Sequence, residues 1–279
     1  MVIAHAVLQN NAMQTPDESA AIDEQPRLID YEQPLNERMR TFLRLEFLYQ
    51  QWGFHQEQSD PWSTRAAVSL LLEILAITAR GDIRSEVMKE LERHMAVIHE
   101  FQSRPGADTD RVHSIVTNLA KLRSDLNTAG MTPLQRLRDS DFLNAIKQRS
   151  AIPGGTCEFD LPDFAHWLSL PFEVRASALG EWSANIRPLC DAVVELLWLT
   201  RQNTHPRRET ATAGVFQLAL DKHAHCQLLR ITLPFGGELF PEISGSHHRC
   251  TIRFLKWTDV SVRAAQTEID VPFLLTTCT

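Results

Sequence analysis

Residues 186–220, IRPLCDAVVELLWLTRQNTHPRRETATAGVFQLAL, contain a change from a helical pattern to a strand pattern. The apolar run Leu189–Leu199 is typical of a buried helix. His205-Pro206 ends that run, and Gly214–Leu220 is a short segment of the kind found in strands. Ile186-Arg-Pro188 predicts a break in the helix, because proline removes a backbone hydrogen bond. The sequence therefore predicts a helical part followed by a β part.

The residues before this change show helical periodicity, with apolar side chains spaced by threes and fours. Asp82 is a suitable helix cap, the loop RPGADTD (residues 104–110) ends in another, and Gly81 follows the end of the second helix. Short connections between amphipathic helices favour a bundle. The first three predicted helices begin at Pro34, Ser59 and Asp82, and the fourth follows the loop RPGADTD and includes Val112–Leu126. A fifth is predicted over Pro133–Arg149 and two more over Phe164–Leu168 and Phe172–Asn203.

After residue 205, short apolar segments are separated by turn residues, which is the pattern of an antiparallel sheet. The strands are predicted at Gly214–Leu220, Gln227–Leu233, Cys250–Trp257 and Thr267–Leu275. A further short strand is predicted at Thr156–Leu161, after the turn Pro153-Gly-Gly155. The fold class is then α+β: a helical bundle domain followed by an antiparallel β domain, with one β segment inserted between helices. The expected division is a disordered acidic tail over 1–30, a helical domain over 31–150 and 162–204, and a β domain over 151–161 and 205–279.

The net charge of −7 is distributed unevenly along the chain of 279 residues. Residues 1–33 hold six acidic side chains and one basic one, so the remaining 246 residues carry only −2. An acidic chain argues against a general nucleic-acid binder, since such proteins usually carry a clearly basic surface. A β module that binds nucleic acid is an alternative, weakened because basic motifs interleaved with aromatic residues are missing.

Neither a membrane segment nor a disulfide framework is expected. The longest apolar runs are about a dozen residues, well short of the roughly 20 that a membrane-spanning helix needs. The start lacks the basic region of a signal peptide. The five cysteines are scattered and form no CxxC, which favours reduced thiols and a cytoplasmic protein.

Motifs of the common enzyme classes are missing, including GxSxG, the P-loop, HExxH and GxGxxG. We therefore expect no enzyme and no cofactor. The alternative is a metal-dependent hydrolase that uses the histidine and cysteine loops of the β part. There, His223 and His225 share one side of an extended chain, and His247 or Cys250 offers a further zinc ligand.

The arginines of the segment Arg249-Cys-Thr-Ile-Arg253 are the most informative basic residues. Because they are four positions apart on a predicted strand, both point to one side, about 13 Å from each other. Cys250, Ile252 and Phe254 take the opposite side. A sheet with an apolar inner side and a basic outer side suits a short acidic peptide, since guanidinium groups bind carboxylates in pairs of hydrogen bonds.

Four blocks of the chain, taken in order, resemble the ZapD family of cell division proteins. They are Glu32–Phe47 (EQPLNERMRTFLRLEF), Arg80–Arg84 (RGDIR), Arg149–Pro162 (RSAIPGGTCEFDLP) and the pair Leu239–Gly245 (LFPEISG) with Arg249–Phe254 (RCTIRF). The resemblance covers about residues 31–272. It implies a non-enzymatic cytoplasmic protein, recruited to the division site at midcell, that binds neither nucleic acid nor membrane.

The resemblance also implies a partner and a site. The family binds the C-terminal tail of FtsZ, forms a homodimer of a helical and a β domain, and crosslinks and bundles FtsZ filaments to stabilise the Z-ring. Its basic surface carries over onto Arg80, Arg249 and Arg253, and Arg44 matches a further family arginine. Neighbouring Phe240, Ile252 or Phe254 is expected to add apolar contact area.

The chain departs from the family at two positions of the helical surface. Phe142 stands where the family can have arginine, and Ala165 stands where it can have histidine, with His166 displaced by one position. These differences favour the β-domain surface together with Arg80 as the site of binding.

Overall fold

The computed structural model describes residues 27–102, 108–130, 132–202, 204, 206–220, 226–245 and 249–279. Within these residues it contains eight helices, all before residue 203, and two antiparallel sheets whose strands, except the first, follow it. The prediction of an α+β fold is therefore confirmed. Most of the predicted acidic tail, at residues 1–26, lies outside the described residues.

The helices account for most of the first 202 residues. Aspartate, asparagine and serine side chains accept hydrogen bonds from the first-turn backbone amides of several helices, as at Asn36, Asp60, Asp82 and Ser140. The helices are α1 (Glu37–Gln56), α2 (Pro61–Thr78), α3 (Ile83–Gln102), α4 (Thr109–Ala129), α5 (Thr132–Arg138), α6 (Asp141–Ser150), α7 (Pro162–Ser169) and α8 (Phe172–Gln202).

The long helix α8 packs against α1, α3, α4 and α5 and forms the centre of the helical part. Its buried side chains include Leu189, Val193 and Leu197, and they share one core with Phe42 and Trp52 of α1. The apolar run that marks the end of the helical pattern in the sequence is thus the centre of the helical core.

The strands form two four-stranded sheets. The first has the order β1-β4-β8-β2, and the second has the order β3-β6-β5 with β7 paired to β6. Their buried sides share one apolar core, in which Phe273 contacts both Phe216 and Phe254. The strands are β1 (Leu28–Pro34), β2 (Arg207–Ala211), β3 (Val215–Ala219), β4 (Leu228–Pro234), β5 (Leu239–Gly245), β6 (Arg249–Lys256), β7 (Ala265–Gln266) and β8 (Val271–Cys278).

The boundary predicted at residue 30 is wrong. Residues 28–30, assigned to the acidic tail, and residues 31–34, assigned to the helical domain, together form β1, which pairs with β4 in register from Leu28↔Pro234 to Pro34↔Leu228. The first helix accordingly begins at Glu37 and not at Pro34. The alternation of apolar and charged side chains in LIDYEQP is short, and only the pairing with a strand 200 residues away makes it a strand.

The β segment predicted at 151–161 is also wrong. Thr156–Leu161 makes successive turns, in which Cys157 donates to Gly154 and Leu161 donates to Cys157. Arg65 of α2 binds both the backbone and the side-chain oxygen of Thr156 at 2.7–2.8 Å, so this segment packs on the helices. Its backbone groups are satisfied locally, and a strand partner is not needed.

Two helix boundaries also differ from the prediction. The break expected at Pro188 does not occur, since α8 continues through it. The hydrogen bond lost there is that of the Ala184 carbonyl, which lies on the exposed side of the helix, where water replaces the missing amide. The predicted helix over Pro133–Arg149 is instead two helices, because the Ser140 side chain caps a new one.

An ion network joins the helices to the first sheet. Arg201, near the end of α8, makes two bidentate pairs, with Glu32 of β1 at 2.8 Å and with Glu46 of α1 at 2.6–2.7 Å. Arg230 of β4 also contacts Glu32, at 2.9 Å. Burial lowers the pKa of Arg201, but hydrogen bonds and charge from Glu46 and Glu32 outweigh burial and raise it.

A second polar cluster lies between α1, α3 and the start of β4. Arg38 contacts the buried Glu90 at 2.8 Å and the side chain of Gln227 at 2.7 Å. His94 lies beside them, 3.0 Å from Arg93. Burial, followed by the charges of Arg93 and Arg38, lowers the pKa of His94 to about 4, so this imidazole is neutral at pH 7.

Replacing Arg201 by methionine should destabilise the protein by about 3–5 kcal/mol, because the carboxylate of Glu46 is then buried without a cation. The measurement is the free energy of unfolding in urea. The control is Lys256→Gln, since Lys256 forms an exposed pair with Glu238 that contributes less than about 1 kcal/mol. Equal losses for the two variants would contradict the role of the network, and R201M/E46L should recover part of the loss.

His94 should make stability depend on pH. Its pKa is lower in the folded protein than in the unfolded chain, so its contribution is present above about pH 6.5 and is lost as the pH falls toward 4. Between pH 7 and pH 5 the parent should lose about 2 kcal/mol through this group, and His94→Gln should lose correspondingly less. Urea unfolding at the two pH values measures the difference, and the same slope for both proteins would exclude this group.

Candidate functional site

Strand β6 presents alternate side chains to opposite sides of its sheet, as the sequence predicted. Cys250, Ile252 and Phe254 are fully buried, whereas Arg249 and Arg253 are exposed. The inner side is fixed by Phe254, whose ring centre lies 5.0 Å from that of Phe273 in the opposite sheet. The two guanidinium groups therefore project from a strand that the apolar core holds in place.

The neighbouring strands complete the outer surface of this sheet. Arg253 lies between Val215 of β3 and Glu242 of β5, and Arg249 lies beside Ala219. We call this surface the arginine face. It consists of Val215, Gln217, Ala219, Phe240, Glu242, Ser244, Arg249, Thr251, Arg253 and Leu255.

The two arginines differ in their electrostatic surroundings. Arg253 donates a hydrogen bond to the carboxylate of Glu242, and both side chains of this pair are 49% exposed. Arg249 has no ion-pair partner among the described residues. An exposed ion pair contributes only about 0–1 kcal/mol, so another carboxylate can replace Glu242 at little cost.

Glu242, the ion-pair partner of Arg253, is the residue of the candidate site that sequence reasoning missed. Its strand β5 was not predicted, although residues 239–245 lie within a block that the family resemblance includes. The alternation in Leu239-Phe-Pro-Glu-Ile is the only local signal, and the proline weakens it as evidence for a strand. The register Glu242↔Arg253 depends on tertiary pairing.

A glycine maintains the close approach of β5 to β6 beside Arg249. Gly245 has φ of +154°, and a Cβ atom there would overlap the carbonyl oxygen of Arg249. Only glycine fits this position without moving the backbone that carries the arginine.

The apolar residues expected beside the basic surface divide between the two sides of the sheet. Ile252 and Phe254 are fully buried on the inner side, so their predicted contact with a partner is wrong. Phe240 is half-buried and lies on the outer side opposite Leu255. Phe240 and Leu255 are therefore the large apolar side chains of the arginine face.

The other two predicted site residues lie on the helical part. Arg44 is exposed on α1, and Arg80 is exposed two residues after the end of α2. Within the described part of the chain, neither forms an ion pair, and no hydrogen bond connects either with β6. The neighbouring Arg38 and Arg40 are instead paired with Glu90 and Glu37.

Phe142 belongs to an aromatic cluster on the helical part. Its ring centre lies 5.6–6.4 Å from those of Phe164, Trp167 and Trp182. Ala165, in α7, is half-buried beside this cluster in sequence. The two departures from the family thus fall in an apolar region of the helical surface.

A shallow groove of about 550 Å³ borders this cluster. It is lined by Trp167, Glu173, Val174, Ser177, Ala178 and Glu181, so its charged lining residues are carboxylates. Such a surface disfavours an acidic peptide through like-charge repulsion.

The structure provides no support for the metal alternative. His223, His225 and His247 lie outside the described residues, and no group of three metal-binding side chains occurs among those that are described. All five cysteines are free, as predicted. Burial raises the pKa of Cys226 and of Cys278 to about 11, so these thiols remain protonated at neutral pH.

The fold and the arginine face define a class: an α+β protein with a helical core, a two-sheet β part and an open sheet face that carries two arginines. No helix in the described ranges is long and apolar enough to cross a membrane. The ZapD family of cell division proteins matches residues 43–253. The cell division protein ZapD of Methylococcus capsulatus is 39% identical over 251 residues, which cover 90% of this chain and 98% of that protein. The chain therefore belongs to the ZapD family and has a role in cell division.

Replacing Phe142 by arginine should destabilise the fold by about 1–3 kcal/mol, because a half-buried ring contact is lost and a cation is placed among aromatic side chains. Thermal unfolding, followed by tryptophan fluorescence, measures the change. Phe159→Arg is the matched control, since Phe159 is 87% exposed and should tolerate the charge. A stable F142R protein would show that this position accepts the family arginine without cost.

Proposed function

We propose that the protein binds the C-terminal tail of FtsZ through the arginine face and, as a homodimer, crosslinks and bundles FtsZ filaments to stabilise the Z-ring. The observation that carries this proposal is the pair Arg249 and Arg253, exposed on one side of β6 in a chain of the ZapD family. The protein is proposed to act without catalysis, in the cytoplasm at midcell.

The chemistry of the face suits a peptide that combines carboxylates with apolar side chains. Arg249 offers a guanidinium without an ionic partner among the described residues, and it binds a carboxylate by two parallel hydrogen bonds. Arg253 binds a second carboxylate by exchanging it for Glu242, which is an exposed and therefore weak partner. Phe240 and Leu255 supply the apolar contact.

A single site of this kind is weak, because an unstructured tail loses conformational entropy when it binds. A dimer presents two such sites, and a filament presents many tails at fixed spacing. The second binding event is then intramolecular, which raises the apparent affinity without any new contact. A dimer whose sites engage different filaments also bridges them, so bundling follows from valence alone.

Arg44 and Arg80 are proposed as secondary contacts for the tail. Both are exposed cations without an ion-pair partner in the described part of the chain. Arg44 lies on α1 and Arg80 follows α2, so neither belongs to the arginine face; both are expected to steer the acidic tail and to matter most at low salt. Screening beyond about 8–10 Å at physiological ionic strength limits this effect.

Reversing both charges of the face, in R249E/R253E, should abolish co-sedimentation with FtsZ polymers formed in GTP, since two carboxylate-binding groups become repulsive. R249Q/R253Q, which removes the two positive charges without adding negative ones, should also weaken binding. The control is R111E/R123E, which reverses two exposed arginines of α4. Unchanged sedimentation by the face variant would overturn the assignment, as would equal bundling of FtsZ that lacks its tail.

Glu242→Gln should have the opposite effect. It removes the carboxylate that occupies Arg253, so the affinity for a labelled FtsZ tail peptide should rise about two- to fivefold, the size expected from losing one exposed ion pair. The control is Glu238→Gln, which removes the exposed ion-pair partner of Lys256, the last residue of β6. Fluorescence anisotropy measures both, and weaker binding by E242Q would contradict the exchange of carboxylates.

A further inference from the structure

We infer that the acidic segment of residues 17–24, DESAAIDE, docks on the arginine face of its own chain and competes there with an acidic partner. A regulatory role at that site rests on the proposed function, but the contact itself can be tested without FtsZ. Three observations support it: the charge of the segment, the position at which the described chain begins, and the weak or missing ion-pair partners of Arg253 and Arg249 among the described residues.

The acidic side chains near the N-terminus fall into two groups, those within β1 and those before it. Asp30 and Glu32 are used by the fold, in ion pairs with Arg230 and Arg201. The four acids of residues 1–26 are Asp17, Glu18, Asp23 and Glu24, and these residues include neither lysine nor arginine. Residues 27–279 hold 28 basic and 31 acidic side chains, so four of the seven net negative charges precede the fold.

The described chain begins beside the connection between β4 and β5, which leads to the arginine face. The carbonyl of Arg27 accepts a hydrogen bond from Phe235 at 2.7 Å, and Arg27 lies over the Phe235 ring. Three residues further on, the carbonyl of Glu238 accepts from Trp257 at 2.7 Å, and Trp257 directly follows β6. Arg253 is four positions before Trp257 on this strand.

These contacts limit the distance that the segment must span. At about 3.3 Å per residue along the chain and about 5 Å between paired strands, Arg27 and Arg253 are at most about 33 Å apart. Asp17 precedes Arg27 by ten residues, which extend to about 33–36 Å. Asp17 can therefore reach Arg253, and Ile22 would lie near the exposed ring of Trp257.

The same features that admit an acidic partner admit this segment. Arg253 exchanges its weak partner Glu242 for another carboxylate, as the partner tail is proposed to do. Because the segment is covalently attached, its effective concentration at the face is about millimolar, high enough for a weak contact to be populated. The fraction of chains with an occupied face then lowers the apparent affinity for any external acidic peptide.

The test titrates a labelled synthetic peptide of residues 14–26, QTPDESAAIDEQP, against full-length proteins in low salt, followed by fluorescence anisotropy. The variant D17N/E18Q/D23N/E24Q should bind it about three- to tenfold more tightly than the parent, since its own segment no longer competes. Adding R249Q/R253Q to that variant should remove the binding, whereas adding R111Q/R123Q should not.

Equal affinity of the parent and the neutralised variant would overturn the inference, as would a lack of binding or binding that survives R249Q/R253Q.

The same proteins are then titrated with the FtsZ tail peptide, with E57Q/E73Q/E92Q/D110N as a variant of equal charge change on exposed acids of the helical part. A gain confined to D17N/E18Q/D23N/E24Q supports self-docking, and equal tail binding by all of them refutes it while leaving the proposed function intact. Absence of tail binding throughout overturns the proposed function alone, and the titration of peptide 14–26 still decides the self-contact.

Discussion

The two carboxylates that bind Arg201 connect the helical core to the first sheet. One guanidinium, on the last helix, is bound by Glu46 of the first helix and by Glu32 of the first strand. It therefore fixes the end of the helical core against the sheet, and Arg230 extends the network along β4. Partial burial of these charges makes the geometry demanding, since an unpaired member would be strongly unfavourable. The network gives the β part a defined position at the end of the bundle.

The consequence for function is an open surface with a rigid support. The side chains beneath the arginine face belong to the core between the two sheets, so the strand that carries Arg249 and Arg253 is held by packing. The helical groove, in contrast, is lined by Glu173 and Glu181 beside tryptophan. The charges of these two surfaces are opposite, which is why we propose the arginine face as the site for an acidic peptide. A net charge of −7 is compatible with this proposal, because charge acts locally over about a Debye length.

Features with local causes could be predicted from the sequence, whereas those that depend on distant pairing could not. The long helices followed from apolar periodicity and capping aspartates, and the orientation of Arg249 and Arg253 followed from the alternation within β6. Strand β1 was missed because its partner lies 200 residues away, and β5 was missed because Pro241 obscures its pattern. Because β5 was not predicted, Glu242 and its ion pair with Arg253 were not predicted either. The helix break predicted at Pro188 does not occur, because the burial of apolar side chains along α8 outweighs the loss of one hydrogen bond at an exposed carbonyl.

The most direct test of where the partner binds is to observe the arginines themselves. Side-chain Nε–Hε resonances of Arg249 and Arg253 in the isotope-labelled full chain can be followed by NMR while an FtsZ tail peptide is added. The account predicts that both resonances shift with one common binding curve, while those of Arg111 and Arg123 and the indole signals of Trp167 and Trp182 stay fixed. Saturable shifts of the two indole signals with unmoved Arg249 and Arg253 would place the tail in the helical groove and contradict the account.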